Sequence, residues 1–351
     1  MTDLGTLRKK ISDIDSKIIE LLTERANIAA AVGAVKSGSG IPLRNADVET
    51  EVLERYLKVA ERSSFPRDAA ERICRAIISG SVEIQSSILR GRCEKNVAIV
   101  GGNGSMGKWM QRYFKSLGSG VSIVDVSVGS MDDIRDSDII VISVPISSIK
   151  GVLKDVDRLC KDDALIFDIA SVKSPFVRQL RNMAKKRRVC SVHPMFGPSA
   201  ASMVERNVMI CDCGNADAVA EAKRIFSNDG VIPLVTAVER HDVLMAYTLS
   251  LAHAANIAFF TSLKNSGMSA DELKGAGSTT FLNTLRTSVP VSRENASLYH
   301  EIQRMNDNAE DMWDVYERSV REVRDAALSE DKEAFVRIMD EGKKYLTDCH
   351  L

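Results

Sequence analysis

The sequence is short of the features that would place it outside the ordinary globular enzymes. Aromatic residues make up 5% of it, and there are only eight prolines in 351 residues. Neither sign of charge dominates: 47 basic side chains stand against 48 acidic ones, for a formal net charge of −1. That balance gives no electrostatic reason to expect nucleic acid or a membrane surface as partner. The seven cysteines are irregularly spaced, and although Cys211 and Cys213 form a C-x-C, no second close pair completes a zinc site. Free thiols in a reducing compartment are therefore expected, and the five scattered histidines argue against a metal centre. The first residues, MTDLGTLRKK, lack an apolar signal core, and no stretch is read as long enough to span a membrane. No internal repeat or low-complexity tract appears. The expectation is a soluble, cytoplasmic chain of two or three domains, 44% hydrophobic and able to bury real cores.

What is present changes character along the chain. Residues 3–36 read as one long helix, with Leu7, Ile11, Ile14, Ile18, Leu21, Ile28, Val32 and Val35 spaced alternately four and three apart. A helix of that length spans about 50 Å, more than a 90-residue segment can cover from one side, so a partner chain is expected. Arg25 falls where the seam calls for an apolar residue. SGSGIPLRN at 37–45 is a loop, and Asn45 is placed to cap a second helix over 46–62, with Asp47, Glu49 and Glu51 near its positive end. A third helix over 67–90 carries Ile73, Ile77, Ile84 and Ile88 on one face, with Ser81 inside that stripe and Gln85 one turn on. From 96 the pattern becomes strands alternating with helices: 96–100, 121–126, 138–145, 164–170, 189–194, 207–213 and 231–237. This is the rhythm of a mostly parallel, doubly wound sheet. After 238 the strands stop and helices follow, with breaks near Gly267, Gly275–Gly277 and Pro290.

Within the α/β part, GGNGSMG at 101–107 supplies G-x-G-x-x-G through Gly102, Gly104 and Gly107. It follows a strand, opens a helix and precedes a strand ending in Asp125. Glycines permit the tight turn, Ser105 and Met106 begin the helix, and its free N–H groups suit a pyrophosphate. Asp125 can accept from a ribose diol and would repel a 2′-phosphate, which favours NAD over NADP. Val144 and Pro145, at the end of the third strand, border the same crevice. DIASVK at 168–173 and SVHPMFGP at 191–198 each follow a strand end, where open α/β sheets bind ligands. His193 is thereby presented to a crevice, where a neutral imidazole can take a hydroxyl proton while hydride leaves the adjacent carbon.

The stretch from 97 to about 310 resembles the prephenate dehydrogenases, including the form fused to chorismate mutase. VGGNGSMG, VISVPI, DIASVK, HPMFGP, AVERHD and SLAH (250–253) carry the resemblance, HPMFGP most specifically. It implies that His193 accepts the ring hydroxyl proton of prephenate, with Ser171 near that hydroxyl and the nicotinamide, and His253 lining the site. It also implies an arginine for the substrate carboxylate. TTFLNTLRT (279–287) points to Arg286, whereas the fused relatives carry that arginine where this chain has Val289, Pro290 and Val291; Arg293 is the runner-up. A dianion suits a bidentate arginine. His241, His300 and His350 are assigned no role.

In the helical part, Arg25 and Lys36 lie eleven residues apart, close to three whole turns and about 16 Å along one face. Arg8 is about a quarter turn off that face, and Ser81 and Gln85 share a face of the third helix. Cations set into apolar helix faces beside neutral hydrogen-bonders could hold a dicarboxylate in a compact shape. The pattern over 4–88 is similar to the all-helical chorismate mutases. That resemblance implies that Arg25 and a partner subunit's Arg8 bind carboxylates, Lys36 and Gln85 face the ether oxygen, Glu49 takes the ring hydroxyl and Ser81 lies nearby. Asn45 stands where an aspartate is usual, and Val48 where an arginine helps order the site; Arg44 could partly substitute.

The fold expected is multidomain: an all-α chorismate mutase domain (1–92), an α/β Rossmann-like NAD domain (95–237) and an all-α C-terminal dimerisation domain (238–351). The function implied is a bifunctional enzyme of tyrosine biosynthesis, with chorismate and prephenate as substrates, NAD as cofactor, and a homodimer as the assembly. Two other readings stay open. The helical segment could be only a dimerisation or regulatory module, which Val48 supports, and the dehydrogenase could prefer arogenate.

Overall fold

A computed structural model describes residues 3–39, 45–89, 92–204, 206–227 and 231–347. The chain forms two compact units, one of Met1–Val144, Ser148–Ala170 and Arg178–Ala237, the other of Pro145–Ser147, Ser171–Val177 and Val238–Leu351.

The first unit opens with three helices, α1 (Leu4–Ser39), α2 (Ala46–Ser63) and α3 (Arg67–Leu89). Asn45 caps α2 as expected, its Oδ1 accepting from Asp47 N at 3.0 Å and Val48 N at 3.2 Å. Only the C-terminal half of α1 packs on α3, through the small buried residues Ala29 and Gly33. A Cβ on Gly33 would lie 3.1 Å from the Gln85 backbone, so a larger residue there would force the helices apart. The apolar seam is left bare: Ile11 is 59% exposed, Leu21 65% and Val35 68%. Most of the seam that the spacing detects is therefore turned away from α3, although Arg25 within it reaches Ser81. Residues 40–44, with Arg44, lie outside the described residues.

The rest of this unit is a seven-stranded sheet in the order β2-β1-β3-β4-β5-β6-β7. Its strands are β1 (Asn96–Val100), β2 (Gly120–Val124), β3 (Ile139–Ile142), β4 (Leu165–Asp168), β5 (Arg188–Pro194), β6 (Val208–Asp212) and β7 (Leu234–Ala237). Between them run α4 (Ser105–Ser116), α5 (Ile146–Leu159), α6 (Val177–Ala184) and α7 (Ala216–Phe226). The central strands are buried on both faces, which explains why IIVI and LIFD read as continuous apolar runs rather than alternating ones. All neighbours are parallel except β5 and β6, which pair antiparallel through His193 and Met209. Among the described residues the link between those two strands contains no helix, and the chain turns back instead of crossing over. β1 has the bounds its apolar run suggested and β5 starts one residue earlier, whereas β3 keeps only four residues of its run and β7 lacks the first three of its own. That edge strand leaves Leu234 55% exposed.

The second unit gathers the helices after 238: α8 (Val238–Met245), a π turn (Ala246–Ser250), α9 (Leu251–Asn265), α10 (Ala270–Gly275), α11 (Thr279–Arg293), α12 (Ala296–Met305), α13 (Ala309–Leu328) and α14 (Lys332–Leu346). Two sequence expectations need correction. Pro290 does not break a helix but sits inside α11. Its missing N–H costs only the bond to the Arg286 carbonyl, one turn from the end of the helix. Val238–Asn265 forms a continuous helical run of 28 residues, long and apolar enough to cross a membrane by length and composition, where none was expected. Polar residues along the run hid it. Within this unit several of them are engaged: Ser288 Oγ donates to Asn256 Oδ1 at 2.8 Å, and Asp242 is buried among donors. Along α9 and α13 lies an open groove of about 670 Å³, lined by Phe259, Trp313, Tyr316 and Val320 among others.

Candidate active sites

The glycine turn between β1 and α4 is built so that side chains cannot enter it. Gly101, which the motif reading passed over, has φ +82, and a Cβ there would fall 2.3 Å from Ser143 O. A Cβ on Gly102 would meet Ile123 at 2.6 Å, and one on Gly107 would lie 2.3 Å from Gly101 O and 2.8 Å from Gly102 Cα. Gly104 is the N-cap of α4 and offers no side-chain hydrogen bond to the first turn at Ser105 and Met106. The amides there remain available to an anion, as a pyrophosphate requires. Asp125 follows β2 and is held by Asn103 N at 2.9 Å and Val126 N at 2.8 Å. Its carboxylate keeps further lone pairs for a diol. Val144 and Pro145 follow β3. The residues present thus fit a dinucleotide with an unphosphorylated ribose. Replacing Gly107 by alanine is expected to weaken NAD binding at least tenfold in calorimetric titration, because the turn must open to admit the methyl group. Unchanged affinity would refute the close packing of this turn.

His193 ends β5 at the same carboxyl edge of the sheet as the glycine turn, three strand spacings away, or about 14 Å. Its side chain is almost wholly buried, rather than presented to a crevice as the loop after it suggested. The loop that follows is tied to α4, the helix that begins at the glycine turn. Trp109 Nε1 donates to Ala200 O at 2.8 Å, its ring lies 5.0 Å from that of Phe196, and Arg112 reaches Pro198 O. One rigid helix therefore carries the nucleotide turn at its start and braces the His193 loop along its side. The sequence reading missed Trp109; a tryptophan two residues past the last motif glycine was the available signal.

Ser171 and His253 belong to the second unit. The segment bearing Ser171 is clamped by Asp242, whose carboxylate accepts from Lys173 N at 2.9 Å, Ser174 N at 2.6 Å, and the Ser174 hydroxyl. His241 Nδ1 lies 2.6 Å from the same carboxylate. Burial alone would raise the Asp242 pKa, but the hydrogen bonds from His241, Ser174 and the Lys173 amide outweigh it and hold the group below its usual range. His241, assigned no role from the sequence, thus pairs with the clamp, and Asp242 is a residue that the sequence reading did not find. His253 stacks on Tyr299 at 4.1 Å, and burial pushes its pKa down, which keeps the imidazole neutral. Arg286 lies exposed on α11, bonded to Asn283 Oδ1 at 2.9 Å, and Arg293 is exposed at the end of the same helix.

In the helical part Arg25 is half-buried between α1 and α3. Its Nη1 donates to Ser81 Oγ and, at 3.3 Å, to Ile77 O. These acceptors are neutral, so the guanidinium charge is not cancelled by them. Gln85 lies one turn beyond Ser81, and its Oε1 is buried without a hydrogen-bond partner. Lys36 is half-buried on the α1 face that meets α3, Glu49 lines a cleft of about 600 Å³ between α2 and α3, and Arg8 is exposed on the free half of α1. Val48 is 52% exposed in the first turn of α2.

Three family models match the chain in succession: chorismate mutase type II over residues 7–86, the prephenate dehydrogenase nucleotide-binding domain over 110–232, and the prephenate dehydrogenase dimerization domain over 237–341. The second match begins beyond the glycine turn, so the assignment of that turn rests on its own geometry. The T-protein of Enterobacter agglomerans is 27% identical over 356 aligned residues, which cover 99% of this chain and 94% of that protein. The T-protein of Haemophilus influenzae is 24% identical, over 99% of this chain and 93% of that protein. Among solved structures, prephenate dehydrogenase from A. aeolicus, in complex with hydroxyphenyl propionate and NAD+, shares the fold. Its TM-score is 0.60 at 19% identity, covering 74% of this chain and 99% of that one.

Proposed function

We infer that this chain, which belongs to the bifunctional chorismate mutase/prephenate dehydrogenase family, catalyses two consecutive steps of tyrosine biosynthesis. It rearranges chorismate to prephenate, then oxidatively decarboxylates prephenate to 4-hydroxyphenylpyruvate with NAD. The observation that carries the dehydrogenase reading is the shared sheet edge at which the uncapped glycine turn, Asp125 and His193 all stand.

Residues 1–92 are the mutase domain. The rearrangement needs no acid, base or nucleophile, only a compact dicarboxylate and a stabilised ether oxygen. Arg25 binds a carboxylate with help from a second copy's Arg8, Lys36 and Gln85 attend the ether oxygen, and Glu49 takes the ring hydroxyl, with Asn45 and Ser81 alongside. The orphaned Gln85 Oε1 and the neutral acceptors of Arg25 support this, since both groups retain unused hydrogen-bonding capacity. Residues 95–237 bind NAD, which accepts the hydride when bound. His193 takes the ring hydroxyl proton as that carbon gains carbonyl character and returns it to the phenol oxygen once CO2 has left. No net proton is released. Ser171 steadies the hydroxyl, His253 lines the site, and Arg286 holds a substrate carboxylate.

Residues 238–351 serve substrate binding and oligomerisation, and the dimerization-domain match supports an assembly. The bare α1 seam and the groove along α9 and α13 are apolar surfaces that a homodimer would cover. The enzyme works in the cytoplasm on small molecules.

The test supplies purified protein with chorismate and NAD and follows NADH. Formation from chorismate is expected. NADH from prephenate alone would leave residues 1–92 a non-catalytic module, the reading that Val48 favours. NADH from arogenate in preference to prephenate would change the second substrate.

A further inference from the structure

The helical run through α8 and α9 contains a defect with an unusual chemical environment. The π turn at Ala246–Ser250 interrupts the regular hydrogen-bond ladder, as such turns do at many working sites. Polar side chains elsewhere on this run bond back to the carbonyl four residues earlier: Thr248 to Leu244, Asn256 to Ala252, Ser262 to Ala258. Ser250, fully buried at the end of the π turn, does not, and its Oγ has no partner. Two more buried polar atoms nearby also have none: Nδ1 of His253, one turn on, and Oε1 of Gln303 on α12. The residues that carry them are linked. Gln303 Nε2 donates to the Ser250 carbonyl at 2.9 Å, and Tyr299, one turn before Gln303, stacks on His253 with ring planes 10° apart.

The bond to Ser250 O fixes the Gln303 amide. A carbonyl accepts only from the NH2 side, so Oε1 must be the free end, and it can only accept. A neutral imidazole has one N–H, and the hydrogen bond made by one ring nitrogen decides which nitrogen carries the proton. Burial is the influence that lowers the His253 pKa; Tyr299 is the titratable group packed on its face, and Glu294 acts on Tyr299.

We propose that Gln303 is a positioning residue for His253: through one internal water shared with Ser250 Oγ, its Oε1 holds the Nδ1–H as a donor and so keeps the Nε2 lone pair free for the ligand. All three orphaned atoms are satisfied by this arrangement, and a water there would have the polar partners it needs. The inference deepens the role given above to His253 and rests on it for its relevance to turnover. The tautomer itself does not depend on that role.

The test is 15N NMR of the full chain with labelled histidine, the signal assigned by His253→Asn. The wild-type protein is expected to show His253 as the Nδ1–H tautomer. Gln303→Leu is expected to shift it to Nε2–H and to lower kcat with prephenate, leaving NAD affinity unchanged. Gln303→Glu keeps an acceptor and adds a charge, so it should retain Nδ1–H and raise the His253 titration by about one pH unit or more. A wild-type Nε2–H tautomer overturns the proposal even if the Gln303→Leu variant does not fold. So does an Nδ1–H signal that Gln303→Leu leaves unaltered. A chain with the expected tautomer but no NADH from prephenate would sink the dehydrogenase reading and leave this one standing.

Discussion

His193→Asn is expected to lower the rate of NADH formation from prephenate by about 10²–10⁴-fold, the usual contribution of a positioned general base. Asparagine keeps a hydrogen-bonding group at the end of β5 but cannot take a proton. NAD affinity should stay within about twofold, because the glycine turn and Asp125 stand three and four strands away. The same protein should still consume chorismate at the normal rate, since the mutase residues lie on α1, α2 and α3. Stopped-flow NADH formation with prephenate, an NAD titration and a chorismate assay separate these outcomes. Full turnover in the variant would remove His193 from the role of base. Loss of NAD binding as well would point instead to collapse of the loop that Trp109 and Arg112 brace.

Local signals carried much of this fold. Ends of helices were readable where a side chain makes them, as with Asn45, whose oxygen takes two amides of α2. The buried strands were readable because runs such as IIVI have no other stable place. Features set by non-local contact were not readable. The reversal of β6 depends on which edge of the sheet the chain returns to, and nothing within VMICD records it. Pro290 looked like a breaker because its penalty was judged without its position near the helix end.

The sites divide in the same way. Gly102, Gly104 and Gly107 are legible as a spacing, but Gly101 is recognisable only once Ser143 is seen to crowd it. Asp242 was hidden because its partners at 173–174 are nearly seventy residues distant in sequence. The α1 seam was read as apolar and too long for ninety residues to cover, and along this one chain most of it stands exposed.

Arg25→Ala is the sharpest test of the helical half. The mutase rate should fall by about 10²–10³-fold, comparable to removing one preorganised donor from a stabilising site. The reason lies in what the guanidinium touches. Its described hydrogen bonds end on Ser81 Oγ and the Ile77 carbonyl, neutral acceptors that orient the fork without neutralising it. A cation half-buried at a helix interface is costly to keep unless an anion completes it, and a dicarboxylate substrate supplies that anion. Two consequences distinguish this from a structural role. Removing the charge should leave the unliganded protein as stable as before or more so, because an incompletely satisfied cation is gone. Dehydrogenase activity measured with prephenate should not change. Arg25→Lys should recover only part of the mutase rate, since an ammonium cannot make the same planar, two-pronged contact with a carboxylate. If Arg25→Ala instead lowers the melting temperature and both activities together, the arginine is a strut between α1 and α3, and the carboxylate must be held by other cations.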